Sequence, residues 1–463
     1  MKKVRNLSLL LALVIVLIPM TNAFSAGYNL AGVGAKALSM SGAFRAISDD
    51  WSAMYWNPAG LAGQGSSIFL EAKLLYPIAT VTPNVGNQIP GYGFYRNGVE
   101  MTSVADSHPS GAFAYQHQIN EKMTFGISAF APTAIGIEWN RLTTGLPYGY
   151  GNDEWPDIDW ASDLKVLEVH PTIGYQVNDK LKVGAGIIIN YAMISLQSPT
   201  LVPTGAPMPY QNVYALGELE GSGMGYGFNV GAIYDVTEKF HVGASYKSAV
   251  TIPLEGQLNQ TAYYPNNPAL YAATGNPVFL GGTASIEPDV EADFPLPQEF
   301  GVGFAYNVTE KLTVAFDFAW TDWSFADEVE MEVDGIGLDG EPSENQILEL
   351  FYEDIIRYNV GFNYVINDKN EFRMGYYLDP TAIPDETIRP AITDVADKHS
   401  ISFGYAYKLT DKVLCEAYWE HLFSAERTVE DMDNDGDGAY DNVAGDWKLN
   451  VDTFGIQFTY YFE

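Results

Sequence analysis

Along residues 358–366, Tyr358, Val360, Phe362, Tyr364 and Ile366 interleave with Asn359, Gly361, Asn363 and Val365. The same period of two runs through Leu312, Val314, Phe316, Phe318 and Trp320, through Ile401, Phe403, Tyr405, Tyr407 and Leu409, and through Phe454, Ile456, Phe458, Tyr460 and Phe462 at the C-terminal end. Strict alternation marks strands with two unlike faces. One face here is large and apolar. The other is mostly Gly, Ala, Ser, Asn and Thr, without the dense Lys and Glu of a water-facing sheet. That polarity suits strands that turn aromatics toward lipid and small polar side chains toward a lumen. Between the runs an apolar-polar-acid-Lys cassette occurs six times: INEK ending at Lys122, VNDK at Lys180, VTEK at Lys239, VTEK at Lys311, INDK at Lys369 and LTDK at Lys412. Each reads as a tight hairpin turn. Six turns separate seven up-and-down pairs, so the pattern predicts fourteen strands, the first near Ser67 and the last near Leu449. The predicted class is all-β: a 14-stranded antiparallel transmembrane β-barrel with short periplasmic turns and long outer loops.

Lys2, Lys3 and Arg5 precede an apolar stretch at residues 7–18, broken by Ser8 alone, and small residues follow around Ala23 and Ala26. This is the anatomy of a secretory signal peptide, cut before Ala26 or after Ala23; the apolar run is short for an anchor helix. The predicted organisation is a signal peptide at 1–25, an N-terminal hatch at 26–66 and a barrel at 67–463. An exported chain that spans a membrane without helices must close its sheet, which places it in the bacterial outer membrane. Barrels of about 16 strands leave an aqueous channel, so fourteen strands leave a bore that something must line or fill. Residues 26–66 do not read as a strand pair; they contain GVGAKALSMSGAF, Asp49, Asp50 and WSAMYWNPAGLAG. Their Gly and Ala suit close packing as a plug inside the lumen, the alternative being a periplasmic extension.

The 463 residues carry 24 Lys+Arg against 58 Asp+Glu, a net charge of -34, which excludes a nucleic-acid binder. With 18% charged and 14% aromatic residues, disorder is excluded as well. The single Cys415 cannot form an internal disulfide, and the six histidines lack metal or triad spacing. No Ser/His/acid set can be assembled, so the chain reads as no enzyme, and no cofactor is implied. One segment stands apart. DMDNDGDGAYD sets Asp431, Asp433, Asp435, Asp437 and Asp441 at spacings near those of a calcium loop, with Asn442 where the twelfth-position Glu belongs; it is either a Ca²⁺ site or a solvated loop tip.

The stretch GYNLAGVGAKALSMSGAFRAISDDWSAMYWNPAGLAG resembles the N-terminal hatch of the outer-membrane long-chain fatty acid transporter family, which also includes aromatic-hydrocarbon uptake proteins. Asn57, Pro58 and Ala59 match its NPA motif. LEGSGMGYGFNVGAIYDV, DFPLPQEFGVGFAY, AWTDWS and the aromatic C-terminus match further along, in order. Glu463 after Phe462 departs from the terminal aromatic read by the outer-membrane insertion machinery. The resemblance implies passive uptake of hydrophobic small molecules such as long-chain fatty acids, with aromatic hydrocarbons or alkanes as alternative cargo. It implies that hatch residues Gly27, Tyr28 and Leu30 shift to release ligand, and that the third and fourth outer loops form an apolar capture groove. By turn counting these loops are residues 198–215 and 257–282, both uncharged. Their candidates are Leu201, Val202, Met208, Tyr210 and Tyr214, and Tyr263, Tyr264, Leu270, Tyr271 and Phe279; alternatively these side chains only pack the loops on each other. A kinked third strand is implied as a lateral exit. The strand from Met123 carries Ala131 and Pro132, and a proline there marks either that exit or the strand's end at the outer rim. Arg357 and Lys247 are candidates for holding a carboxylate. A general hydrophilic porin is the reading from another class, disfavoured by the hatch and the uncharged loops. The implied partners are a hydrophobic ligand, outer-membrane lipids and lipopolysaccharide, and the insertion machinery, with the protein itself a monomer.

Overall fold

A computed structural model describes residues 31–84, 98–105, 107–139, 160–203, 212–338, 341–391, 394–430 and 442–462. Gly27, Tyr28, Leu30, Met208, Tyr210 and the acidic positions Asp431, Asp433, Asp435, Asp437 and Asp441 lie outside the described residues.

The strands are β1 (Ser67–Pro83), β2 (His108–Asn120), β3 (Met123–Trp139), β4 (Trp160–Gln176), β5 (Leu181–Pro203), β6 (Asn212–Asp235), β7 (Phe240–Lys247 and Val250–Asn266) and β8 (Leu280–Ile286, Asp289–Leu296 and Glu299–Asn307). They continue as β9 (Leu312–Thr321 and Glu328–Asp334), β10 (Gln346–Glu349 and Ile355–Asn367), β11 (Asn370–Asp379), β12 (Lys398–Thr410), β13 (Val413–Ser424 and Arg427–Val429) and β14 (Gly445–Tyr461). Each pairs antiparallel with the next, and β14 returns to β1 in unbroken register from Ser67↔Tyr461 to Pro83↔Gly445. The sheet is closed, with the strand number that the turns predict.

The cassettes work through their second residue. Asn120, Asn178 and Asn367 each accept, through the side-chain oxygen, the backbone N–H of the cassette lysine two residues on, at 2.9, 2.9 and 3.0 Å. Thr237, Thr309 and Thr410 do the same with their hydroxyls at 3.2 Å. Such local side-chain-to-backbone bonds let Asn and Thr stand in for a turn's backbone partner.

The two faces sort as the alternation predicts. Phe316, Phe318, Tyr358 and Tyr364 stay exposed on the outer wall, while Ala315, Asp317, Ala319, Asn359 and Asn363 are buried in the bore. No helix among the described residues is long and apolar enough to cross a membrane. Residues 198–203, 212–215, 257–266 and 280–282, expected as loop, are strand instead. Their Thr, Val, Leu and Tyr fit a pleated surface, and the β5–β6 ladder simply continues, through Leu201↔Tyr214 to Pro203↔Asn212.

Residues 31–66 pack into the bore as two short helices, α1 (Ala35–Ser39) and α2 (Ala53–Trp56), and a 3-10 turn at Pro58–Leu61. The NPA motif builds that turn: Pro58 opens it, where a missing N–H costs nothing, and the Asn57 side-chain oxygen caps it by accepting the Ala59 N–H at 3.2 Å. Met40, Phe44, Trp51 and Met54 are fully buried.

Candidate functional site

The plug is seated on glycines and held by buried polar groups. A Cβ on Gly404 would fall 1.8 Å from Ser39 Oγ, on Gly231 2.0 Å from Asn57 Oδ1, and on Gly375 2.3 Å from the Met40 carbonyl carbon. Lumen-facing glycines are therefore recesses for the plug. Asp317 of β9 accepts the Phe44 and Arg45 N–H groups at 3.1 and 2.9 Å through one oxygen, which also faces Arg45 Nη1 at 3.4 Å. Arg45 pairs with Glu299 as well and stacks over Trp56 at 5.5 Å. On the opposite wall, Gln457 accepts from the Ala35 N–H at 3.1 Å and the Trp51 indole N–H at 2.9 Å. Asn57 donates to the Arg45 and Ala232 carbonyls at 2.8 and 3.1 Å, so the motif residues Asn57, Pro58 and Ala59 are a structural anchor of the plug.

Two plug carboxylates differ. Burial works to raise Asp49, but the Lys36 ammonium at 2.7 Å outweighs it and holds the group below its ordinary range. Among the described residues Asp50 has no such partner. Burial, with the nearby Glu416 charge adding to it, pushes Asp50 up to about 7 against the donors of Ser52.

Above the plug lies a polar waist. Lys247 of β7 reaches Glu168 of β4 at 2.8 Å and sits over the Tyr55 ring at 5.2 Å. Arg357 stacks on Tyr377 at 4.0 Å and donates to the Ala31 carbonyl at 3.4 Å. Both cations expected for a carboxylate are thus engaged inside the protein.

Higher still, an apolar chamber of about 220 Å³ opens between β4, β5, β6, β7, β8, β9 and β10. Leu164, Ile194, Leu254, Phe294, Met331 and Leu350 line it, with Arg389 and Ala391 contributed by the connection between β11 and β12. That connection folds into the bore, where Pro390 accepts the Trp139 indole N–H at 2.9 Å. At the chamber's edge the Trp160 indole nitrogen and the Ser162 hydroxyl are buried without a hydrogen-bond partner among the described residues, a state that costs about 1–3 kcal/mol for each such group.

The wall is interrupted on the far side of β3, the strand that pairs with the chamber's β4. The β2–β3 ladder ends at Ala112↔Phe130; beyond it residues 108–111 pair with β1 alone. In the β3–β4 ladder Phe130 pairs with Glu168 and Thr133 with Val166, so β3 carries one extra residue at Ala131 and Pro132. A one-residue bulge turns the strand's other face inward. Phe130 packs against Trp51 and Tyr55 of the plug, whereas above the bulge Ile137 and Trp139 take the buried positions. The gap closes again where the Val104 N–H donates to the Glu138 carbonyl at 2.8 Å. A second cavity of about 210 Å³ lies at its outer end. Pro132 therefore does not end β3, which runs on to Trp139.

Of the loop candidates, Val202 and Tyr264 pack on a small buried cluster of Val213, Ala215 and Ala262, and Phe279 is buried. Tyr263 and Leu270 are half-buried and Tyr271 is exposed on a short helix, α3 (Pro268–Thr274). Leu201 and Tyr214 oppose each other across the β5–β6 ladder. The chamber lining went unforeseen because it is assembled from seven strands. Among the described residues no cluster of His, Cys, Asp or Glu is arranged to hold a metal.

A closed, plugged barrel with an apolar outward skin and an apolar internal chamber defines an outer-membrane transport protein. Over residues 16–462 the sequence matches the family described as Outer membrane protein transport protein (OMPP1/FadL/TodX), and the chain belongs to that family. It is 23% identical to the long-chain fatty acid transport protein of Salmonella typhi, over 96% of this chain and 95% of that one. It is also 23% identical to the 47 kDa outer membrane protein of Pasteurella multocida, over 95% of each. The fold is shared with a FadL homologue of Pseudomonas aeruginosa (TM-score 0.77, 18% identity, 95% of this chain and 100% of that one). It is shared too with the Pseudomonas putida toluene transporter TodX (TM-score 0.70, 18% identity, 95% and 100%).

Proposed function

We propose that this outer-membrane transporter takes up hydrophobic small molecules passively, holding them in the apolar chamber and releasing them sideways through the gap between β2 and β3. The observation that carries the reading is the arrangement of chamber, plug and interrupted ladder: the plug blocks the straight route to the periplasm, and the wall is unpaired between β2 and β3, where a second cavity shares Ser162 and Gln197 with the chamber. At about 0.8 kcal/mol per buried methylene, a fully enclosed chain of about 15 methylenes would gain up to about 12 kcal/mol and leave slowly. Release therefore needs a change of shape, which a plug held by a countable set of polar contacts supplies. Capture falls to the uncharged extensions bearing Val202, Tyr263, Tyr264, Leu270 and Tyr271.

Long-chain fatty acids, named for the Salmonella relative, are one cargo class. Monoaromatic hydrocarbons are the second, and the chamber's size favours them: an apolar cavity of about 150 Å³ is enough for benzene, so about 220 Å³ holds one substituted ring, whereas a long chain must extend beyond it. Deleting Pro132 removes the extra residue and lets β3 pair with β4 without a bulge. Uptake of labelled toluene and of a labelled long-chain fatty acid by cells carrying the deletion should fall at least tenfold, while the purified barrel keeps its heat-modifiable gel migration. Undiminished uptake of both would remove the lateral step.

A further inference from the structure

The chamber and the second cavity have opposite characters and share a seam. The chamber is walled mainly by aliphatic and aromatic side chains, with Glu220 and Arg389 also in its lining; the neighbouring cavity is walled by Ser103, His108, Glu138, Asp163 and Ser195, and Ser162 and Gln197 line both. On that seam β4 places Trp160 and Ser162 two residues apart on one face, and the indole N–H and the hydroxyl are both buried without a partner among the described residues. An indole N–H only donates, and a hydroxyl donates as readily as it accepts. What Trp160 and Ser162 lack is an acceptor oxygen.

The charge around it decides which oxygen. The second cavity presents the carboxylates of Glu138 and Asp163, and the nearby Lys165 is held by Asp163 at 2.5 Å. A carboxylate placed there would meet like charge, whereas a neutral oxygen meets hydrogen-bonding groups. We propose that the preferred cargo is an amphiphile with a neutral oxygen-bearing group, an alcohol, phenol or ester. Its apolar body occupies the chamber, and its oxygen accepts from Trp160 and Ser162 at the mouth of the polar cavity. The second cavity then houses the polar end as the molecule turns toward the gap between β2 and β3. This inference rests on the uptake reading above and narrows its cargo.

The test uses the mature protein in lipid nanodiscs, with binding of octane, 1-octanol, methyl octanoate and octanoate each corrected for partition into the bilayer. The expected result is that 1-octanol and methyl octanoate bind at least tenfold more tightly than octane, and octanoate no more tightly than 1-octanol. In a Trp160→Phe, Ser162→Ala double variant the alcohol-to-alkane ratio should fall to about one while octane still binds, which also shows that the chamber has kept its fold. Equal binding of octane and 1-octanol to the unaltered protein, a ratio that survives the double substitution, or octanoate as the tightest ligand overturns the proposal. Binding of none of the four overturns the chamber reading beneath it as well.

Discussion

Replacing Asp317 with Ala should loosen the plug while leaving the barrel intact. One Asp317 oxygen receives the Phe44 N–H at 3.1 Å and the Arg45 N–H at 2.9 Å. Hydrogen bonds to a charged partner contribute about 1.5–3 kcal/mol each, so losing these two weakens docking of the segment around Arg45 by roughly 3–6 kcal/mol. The Arg45 guanidinium, deprived of one of its two carboxylates, keeps only Glu299. Even the lower figure corresponds to about a hundredfold rise in local opening, at about 1.4 kcal/mol per factor of ten. Hydrogen–deuterium exchange of the purified protein, read on peptides spanning residues 40–48, measures that opening directly, and peptides from β12 and β13 report whether the wall is disturbed. The same variant in planar bilayers should conduct in bursts where the unaltered protein is nearly silent. Unchanged exchange at 40–48 with a folded barrel would refute the view that Asp317 fastens the plug.

Gly404→Val should have the stronger steric effect, because its Cβ would lie 1.8 Å from Ser39 Oγ; the expected outcome is a folded barrel with steady conductance, and a silent channel would show that the plug can shift to absorb it. Asp50 gives a pH dependence with a definite sign. Its pKa is raised from an ordinary 3.8 to about 7 by burial, so the plug retains more protons than the unfolded segment, and the stability Asp50 contributes is full below about pH 4 and lost as pH rises through 7. After correction for intrinsic rates, exchange at residues 49–56 should rise over that window in the unaltered protein and stay flat in Asp50→Asn; parallel profiles would contradict the assignment. Gly126→Val should disturb the plug, since a Cβ there meets Met54 Cε at 2.5 Å and Leu61 Cδ2 at 3.2 Å. Exchange at residues 52–62 reports that outcome.

The barrel was largely legible in the sequence because both of its determinants are local. Alternation fixes which face of a strand meets lipid, and a side chain two residues before the cassette lysine closes each turn. The length of the outer extensions was less legible: an uncharged run such as residues 257–266 satisfies the expectations for a loop and for a strand alike, and only its partner strand decides. Places where the inward face switches were also hidden. In β7 the inward set is Gly243, Ser245 and Lys247 below the break at residues 248–249, and Val250, Ile252 and Leu254 above it. The bulge at Ala131 and Pro132 does the same in β3, where the proline was the visible clue. Asp317 could have been found, as an acid in a lumen-facing row otherwise made of Thr313, Ala315 and Ala319. The chamber could not, since its lining depends on how seven strands are staggered around the closed sheet.

Hydrophobic molecules bound for the wall gap should occupy the upper bore on the way. Photolabelling tests this most directly. The mature protein in bilayers is irradiated with an alkyl diazirine, with and without excess unlabelled 1-octanol, and the adducts are mapped by mass spectrometry. Competable labelling of inward residues such as Leu164, Ile194, Met331 and Leu350 is expected. Labels confined to outward residues such as Ile187 and Tyr226, unaffected by competitor, would contradict it.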